Sequence, residues 1–206
     1  MADIENIVFD MGGVLMDWNP LGIARSFCED EDDARLIADA LFGQSAWAML
    51  DAGAVDEETV LWLAKRQLPE RLHEKCAEVA DRWYEDRIYF PEANEAAVRL
   101  KDAGYRVYLL TNVGPAFAEI FCQIPCHEVF SGVIASSEEH IVKPDARIFA
   151  LLCERFGLAA ERSLFIDDML VNVEGARRAG MHALHYQGEA SAIFSWLEHN
   201  DRSHRL

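Results

Sequence analysis

Five short apolar runs recur along this chain with helix-forming segments between them, and that alternation leaves few folds open. They are residues 6–10 (NIVFD), 106–111 (RVYLLT), 132–136 (GVIAS), 163–167 (SLFID) and 182–186 (HALHY). Each is continuous rather than alternating, the pattern of strands covered on both faces by helices. Helix-like segments lie at 92–103, 115–122, 145–156 and 171–179. Gly104, Gly157 and Gly180 follow three of them, where a glycine accepts the left-handed backbone that ends a helix. Strands and helices alternating in this way predict an α/β fold with a parallel, doubly wound sheet.

One connection breaks the rhythm. About ninety residues separate Asp10 from Arg106. They read as helices at 23–27, 32–41, 46–51, 56–66 and 70–87, with Asp32 and Asp56 as N-caps and Pro69 dividing the last pair. A crossover needs one helix, so roughly sixty residues are surplus. They are expected to form an inserted helical cap, residues 17–90, on a core made of 1–16 and 91–206. Sheets of this kind bind ligands at the carboxyl ends of their strands, and an insertion after the first strand would cover that edge.

Composition narrows the partners. Of 206 residues, 36 are acidic and 19 basic, a formal net charge of −17, which argues against nucleic acid or anionic membranes as partners. No stretch approaches the ~18 apolar residues of a membrane span. The first five residues lack the basic and apolar regions of a signal peptide. Five scattered cysteines, with no second pair to complete a zinc pattern, read as reduced, mostly buried thiols of a cytoplasmic protein.

The strand ends carry the chemistry. Run one ends at Asp10, run two at Thr111 and run four at Asp167 and Asp168, while Lys143 lies beyond run three. Taken singly, a strand-end aspartate is an ordinary helix cap and Lys143 an ordinary loop lysine. In a parallel sheet, however, all five fall along one edge. Carboxylates a few Å apart repel by ~4 kcal/mol per pair at an effective dielectric near 20, so such a cluster calls for a cation or for protonation. An all-oxygen set suits Mg²⁺, which takes one or two carboxylates together with substrate phosphate oxygens.

These residues resemble the motifs of the haloacid dehalogenase (HAD) superfamily: Val8-Phe9-Asp10-Met11-Gly12-Gly13-Val14-Leu15 the first, Leu109-Leu110-Thr111-Asn112 the second, Lys143-Pro144-Asp145 the third and Phe165-Ile166-Asp167-Asp168 the fourth. Residues 10–20 look most like the branch that includes glucose-1-phosphate phosphatase. The resemblance implies a Rossmann-like core with an α-helical cap and phosphoryl transfer from a small phosphorylated substrate through an aspartyl-phosphate. Asp10 would be the nucleophile. Mg²⁺ would be held by Asp10, the Gly12 carbonyl, Asp168 and, directly or through water, Asp167. Thr111 and the Asn112 amide would bind phosphate oxygens, and Lys143 would offset charge between phosphate and nucleophile.

The match departs from the family at Gly12, where most of its phosphatases carry a second aspartate as general acid and base, a group worth ~10²–10⁴-fold. Asp17, equally a turn residue, or a carboxylate of the cap is the candidate substitute. Trp18, Asn19 and Asn172 are expected near the leaving group. Trp47, Trp62 and Trp83 read as cap core before they read as a sugar platform, and Arg25, Arg82 and Arg87 as solvated surface before they read as anion grips. His127, His140, His182 and His185 show no ligand spacing. The leading expectation is a Mg²⁺-dependent sugar phosphatase. The alternatives are a metal-independent haloacid dehalogenase, which has no need of both Asp167 and Asp168, and a non-catalytic fold that binds a phosphorylated ligand or a protein.

Overall fold

The computed structural model describes residues 3–85 and 87–202. Five strands, β1 (Asn6–Phe9), β2 (Arg106–Thr111), β3 (Phe130–Ala135), β4 (Ser163–Asp167) and β5 (His182–His185), form one parallel sheet in the order β3-β2-β1-β4-β5. The order reverses between β1 and its two neighbours, which makes the carboxyl end of β1 the switch point where such sheets open a crevice.

Side chains alternate across the sheet and divide the interior into two layers. Val8, Tyr108, Leu110, Ile134 and Phe165 face one side, where they pack with Ile148, Phe149 and Leu152 of α9 (Ala146–Phe156) and Val173 and Ala176 of α10 (Leu170–Arg178). Ile7, Phe9, Val107, Leu109, Leu164 and Ile166 face the other. There they meet Ala93, Ala96, Ala97 and Leu100 of α6 (Pro91–Asp102), and Ile193 and Leu197 of α11 (Ser191–Asn200). Continuous apolar strands are thus explained by helices on both faces.

The helices between β1 and α6 are α1 (Pro20–Phe27), α2 (Glu31–Leu41), α3 (Ser45–Asp51), α4 (Glu57–Lys65) and α5 (His73–Arg82). Their starts follow capping chemistry. The side chains of Asn19, Asp30 and Asp56 accept the N–H groups of Gly22, Asp33 and Thr59 at 3.0, 2.9 and 2.8 Å. The cap of α2 is therefore Asp30 and not Asp32. Residues 70–87 are not one helix: a 3₁₀ turn at Glu70–Leu72 precedes α5, which stops at Arg82, and residue 86 lies outside the described residues. The buried cluster under α6 runs on without a break into Ile23, Ala34, Ile37, Val60 and Val79 of α1, α2, α4 and α5.

Beyond β2 come α7 (Phe117–Phe121) and α8 (Ser136–Glu139). Sequence patterning makes α7 too long and misses α8 and α11. Gly157 caps α9 at φ 62°, and Gly104 and Gly180, just past α6 and α10, both take φ 89°. All five cysteines are free, and Cys122 is exposed rather than buried. No helix among the described residues is long and apolar enough to cross a membrane. Met1 and Ala2, where the N-terminal reading began, lie outside the described residues.

Candidate functional site

The registers of β1, β2 and β4 decide which side chains meet. Phe9 lies level with Leu109 on one side and Ile166 on the other, and the Asp10 N–H donates to the Ile166 carbonyl at 2.9 Å. Asp10 therefore leaves the sheet between Thr111 and Asp167. Both of these are almost wholly buried, and Asp10 is nearly so.

Lys143 reaches this edge from the loop before α9. Its buried Nζ lies 2.8 Å from Asp10 Oδ1 and 2.8 Å from Asp167 Oδ2, and 5.3 Å from the Phe165 ring centroid. Asn112 holds the lysine from behind: its Oδ1 accepts the Lys143 N–H at 2.8 Å and its Nδ2 donates to the Lys143 carbonyl at 3.0 Å. Burial by itself would lower the lysine pKa, but the two carboxylates outweigh it and raise it. For Asp10 the balance falls the other way. Desolvation pushes it up to about 7 against the attraction of Lys143, with Asp167 adding repulsion.

Asp167 is fully engaged. Besides Lys143 it accepts the Met169 N–H at 2.7 Å and the Asn172 Nδ2 at 3.1 Å to each oxygen. Asp168 is more open, and burial followed by the Asp167 charge raises its pKa. One oxygen each from Asp10, Asp167 and Asp168 lies within 4.8 Å of the other two, a spacing that a small hard cation can bridge with oxygen ligands alone. Gly13 makes room for the third carboxylate. Its φ is +76°, and a Cβ there would stand 2.4 Å from the Asp168 carboxylate. His185, opposite Asp167 in the β4–β5 register, brings Nε2 to 2.9 Å from the Asp168 carbonyl oxygen. No ligand spacing in the sequence marks that histidine, and only strand pairing brings it here.

Above this edge opens a cavity of about 450 Å³ lined by Asp10, Gly12, Gly13, Asn112, Lys143, Asp168 and Asn172 on the sheet side. Its far wall holds Trp18, Phe42, Trp47 and Trp83. Trp18 stacks on Trp47 with ring centroids 6.0 Å apart and meets Trp83 edge-on at 5.5 Å. Phe42 meets Trp47 edge-on at 4.6 Å. Trp47 and Trp83 are therefore buried and also wall the cavity, whereas Trp62 is exposed beneath Arg66.

Other expected residues lie elsewhere. Asn19 spends its side chain capping α1. Asn172 borders the cavity, but its Nδ2 is turned to Asp167. Arg25 pairs with Glu31, Arg82 with Glu78 and Glu85, and Arg87 donates to the Asp17 carbonyl. None of the three lines the cavity. Phe42 and Asp51 line it without having been anticipated. Asp51 stands four residues after Trp47 on α3, so the helical period alone places both on one face.

A family model for haloacid dehalogenase-like hydrolases matches residues 4–180. The sesquiterpene phosphatase astK of Aspergillus oryzae is 26% identical over 182 residues, covering 86% of this chain and 87% of that one. The phosphoglycolate phosphatase of Photorhabdus laumondii is 28% identical over 191 residues, covering 87% and 79%. An HAD family enzyme of Bacteroides thetaiotaomicron, solved with magnesium and inorganic phosphate, superposes with a TM-score of 0.71 at 18% identity, covering 93% of this chain and 99% of that one.

Proposed function

This chain belongs to the haloacid dehalogenase-like hydrolases, and from that premise we propose that it is a Mg²⁺-dependent phosphatase of a small phosphorylated metabolite, working through an aspartyl-phosphate on Asp10. The observation that carries the reading is the meeting of Asp10, Asp167 and Asp168 with Lys143 at the sheet edge that floors the cavity. The magnesium and phosphate of the Bacteroides enzyme support the same choice of ion.

Mg²⁺ would be held by Asp10, the Gly12 carbonyl and Asp168, and would supply positive charge at the phosphoryl oxygens. Asp167 is saturated by Lys143, Asn172 and the Met169 amide, which favours Asp168 as the direct ligand and a positioning role for Asp167. Lys143 holds Asp10 Oδ1, leaving the other carboxylate oxygen for in-line attack on phosphorus. Thr111 and the backbone amide of Asn112 would receive the phosphate, and Asn172 would keep Asp167 oriented. Helices within 17–90 would act as a cap that excludes water from the cavity.

The leaving alcohol is proposed to be neutral, with a sugar as the first class to test. Sugar C–H faces and terpenoid chains both suit the aromatic wall. Lys143 is the sole lysine or arginine lining the cavity among the described residues, so a second acidic group would find no further counter-charge.

The test is phosphate release from p-nitrophenyl phosphate, sugar phosphates, an isoprenoid phosphate and phosphoglycolate, each with Mg²⁺ and with EDTA. Release that needs the metal supports the reading, and release unaffected by EDTA would overturn it.

Two substitutions bear on the metal and acid positions. Gly13→Ala should weaken Mg²⁺ binding at least about tenfold, since a methyl group would displace Asp168. Titration calorimetry with the metal measures this, and wild-type affinity would remove Asp168 from the ligand set. At Gly12 a Cβ meets only the Trp18 Cβ, at 3.6 Å, so Gly12→Asp should fold normally. In a steady-state assay its turnover of alkyl phosphates should stay within about tenfold of wild type if a carboxylate of the cavity wall already serves as the acid.

A further inference from the structure

We infer that Asp51, carried over the cavity by α3, is the proton donor to the leaving group and the base for the hydrolytic water, in place of the aspartate that Gly12 lacks. This rests on the phosphatase reading above.

Among the described residues, three carboxylates line the cavity besides Asp10: Asp17, Asp51 and Asp168. Asp168 belongs with the metal ligands. Asp17 has the Arg87 guanidinium beside it, which donates to the Asp17 carbonyl oxygen. Asp51 has a different environment. It ends α3, its carboxylate accepts the Gly114 N–H, and no cationic side chain among the described residues offsets its burial. Desolvation accordingly pushes its pKa up to about 7, so a large fraction carries a proton near neutrality, as a general acid requires.

The main chain at this point is pinned independently of the carboxylate. Ser136 Oγ donates to the Asp51 carbonyl at 2.5 Å and accepts the Val113 N–H at 2.9 Å. Those bonds tie the end of α3 to the loop that carries Asn112 and Gly114. Asp51 is thus fixed relative to the phosphate-facing loop even though it arises from the inserted helices.

The proton balance closes. Asp10 attacks phosphorus, the bond from phosphorus to the ester oxygen breaks, and that oxygen leaves as the alcohol with the Asp51 proton. Water then attacks the phosphorus of the aspartyl-phosphate and gives a proton to Asp51. The bond from phosphorus to Asp10 breaks, and the acid is ready for the next turnover.

The test is Asp51→Asn in the full chain, compared with wild type on an alkyl phosphate and on p-nitrophenyl phosphate. Asparagine keeps the oxygen that accepts the Gly114 N–H and cannot donate a carboxyl proton. For the alkyl phosphate, kcat/KM should fall ~10²–10⁴-fold. For p-nitrophenyl phosphate, whose phenolate leaves unaided, kcat/KM should fall less than about tenfold. Its kcat, which includes hydrolysis of the phosphoenzyme, should fall more. Adding Gly12→Asp to Asp51→Asn should restore much of the alkyl phosphate activity.

Equal losses on both substrates, with no recovery in the double variant, would make Asp51 a structural strut and overturn the proposal. So would unchanged alkyl phosphate hydrolysis by Asp51→Asn. Either result leaves the phosphatase reading standing if wild-type activity still needs Mg²⁺ and Asp10. Failure of wild type to release phosphate from any ester would overturn both.

Discussion

Asp10→Asn is expected to lower phosphatase turnover by at least about 10⁴-fold, the scale on which loss of an attacking group is felt, while leaving the fold intact. The carboxamide fills the same volume and its oxygen can still accept the Met11 N–H that Asp10 Oδ1 takes at 2.7 Å. It also removes a charge that burial disfavours, since desolvation has already pushed the Asp10 carboxyl up to about 7. Far-UV circular dichroism should therefore be unchanged and no hydroxylamine-sensitive phosphoenzyme should form. Retention of more than about a tenth of wild-type turnover would remove Asp10 as nucleophile, leaving the cluster a binding site.

Lys143→Met should have the second large effect, on stability as well as rate. The ammonium stands 2.8 Å from two buried carboxylates at once, and removing it leaves Asp10 facing Asp167 with nothing between them. Breaking a buried ion pair from one side costs about 3–5 kcal/mol, more than the methionine stem recovers by packing on Phe165. Denaturant titration measures the loss. Mg²⁺ should recover part of it, because a cation that binds only the folded state stabilises it by mass action. Stability within about 1 kcal/mol of wild type without metal would mean that a proton on Asp10 replaces the lysine at little cost. In that case the contribution of Lys143 would be confined to the reaction.

The sheet and its edge were legible in the sequence because they depend on local information. Five continuous apolar runs could be buried only between two layers of helices. Once the strands are parallel, the pleat and direction of β1, β2 and β4 bring Asp10, Thr111 and Asp167 to one edge whatever the loops do. The same reasoning placed Lys143 nearby, since the loop after β3 must return over that edge to start α9. Element ends were less legible. Asp30 displaced Asp32 as the cap of α2 because either can accept an N–H group, and only the backbone geometry chooses between them. Residues 70–87 broke into a turn and a shorter helix where Pro69 redirects the chain.

Tertiary structure alone decided the wall and the upper chemistry of the cavity. Trp18, Phe42, Trp47 and Trp83 come from four different stretches, and no spacing within any one of them reveals that their rings meet. A buried tryptophan and one lining a cavity leave the same periodic trace in sequence. The tie from Ser136 to the Asp51 carbonyl spans 85 positions, so the placing of that carboxylate depends on a contact no local pattern encodes. The sequence by itself determined the strand-end carboxylates, their lysine and the need for a cation or a proton among them, because charge and strand direction are local properties. Which groups face them across the cavity was decided by the packing of α1 to α5 against the loops above the sheet, where burial sets the charge state of each group.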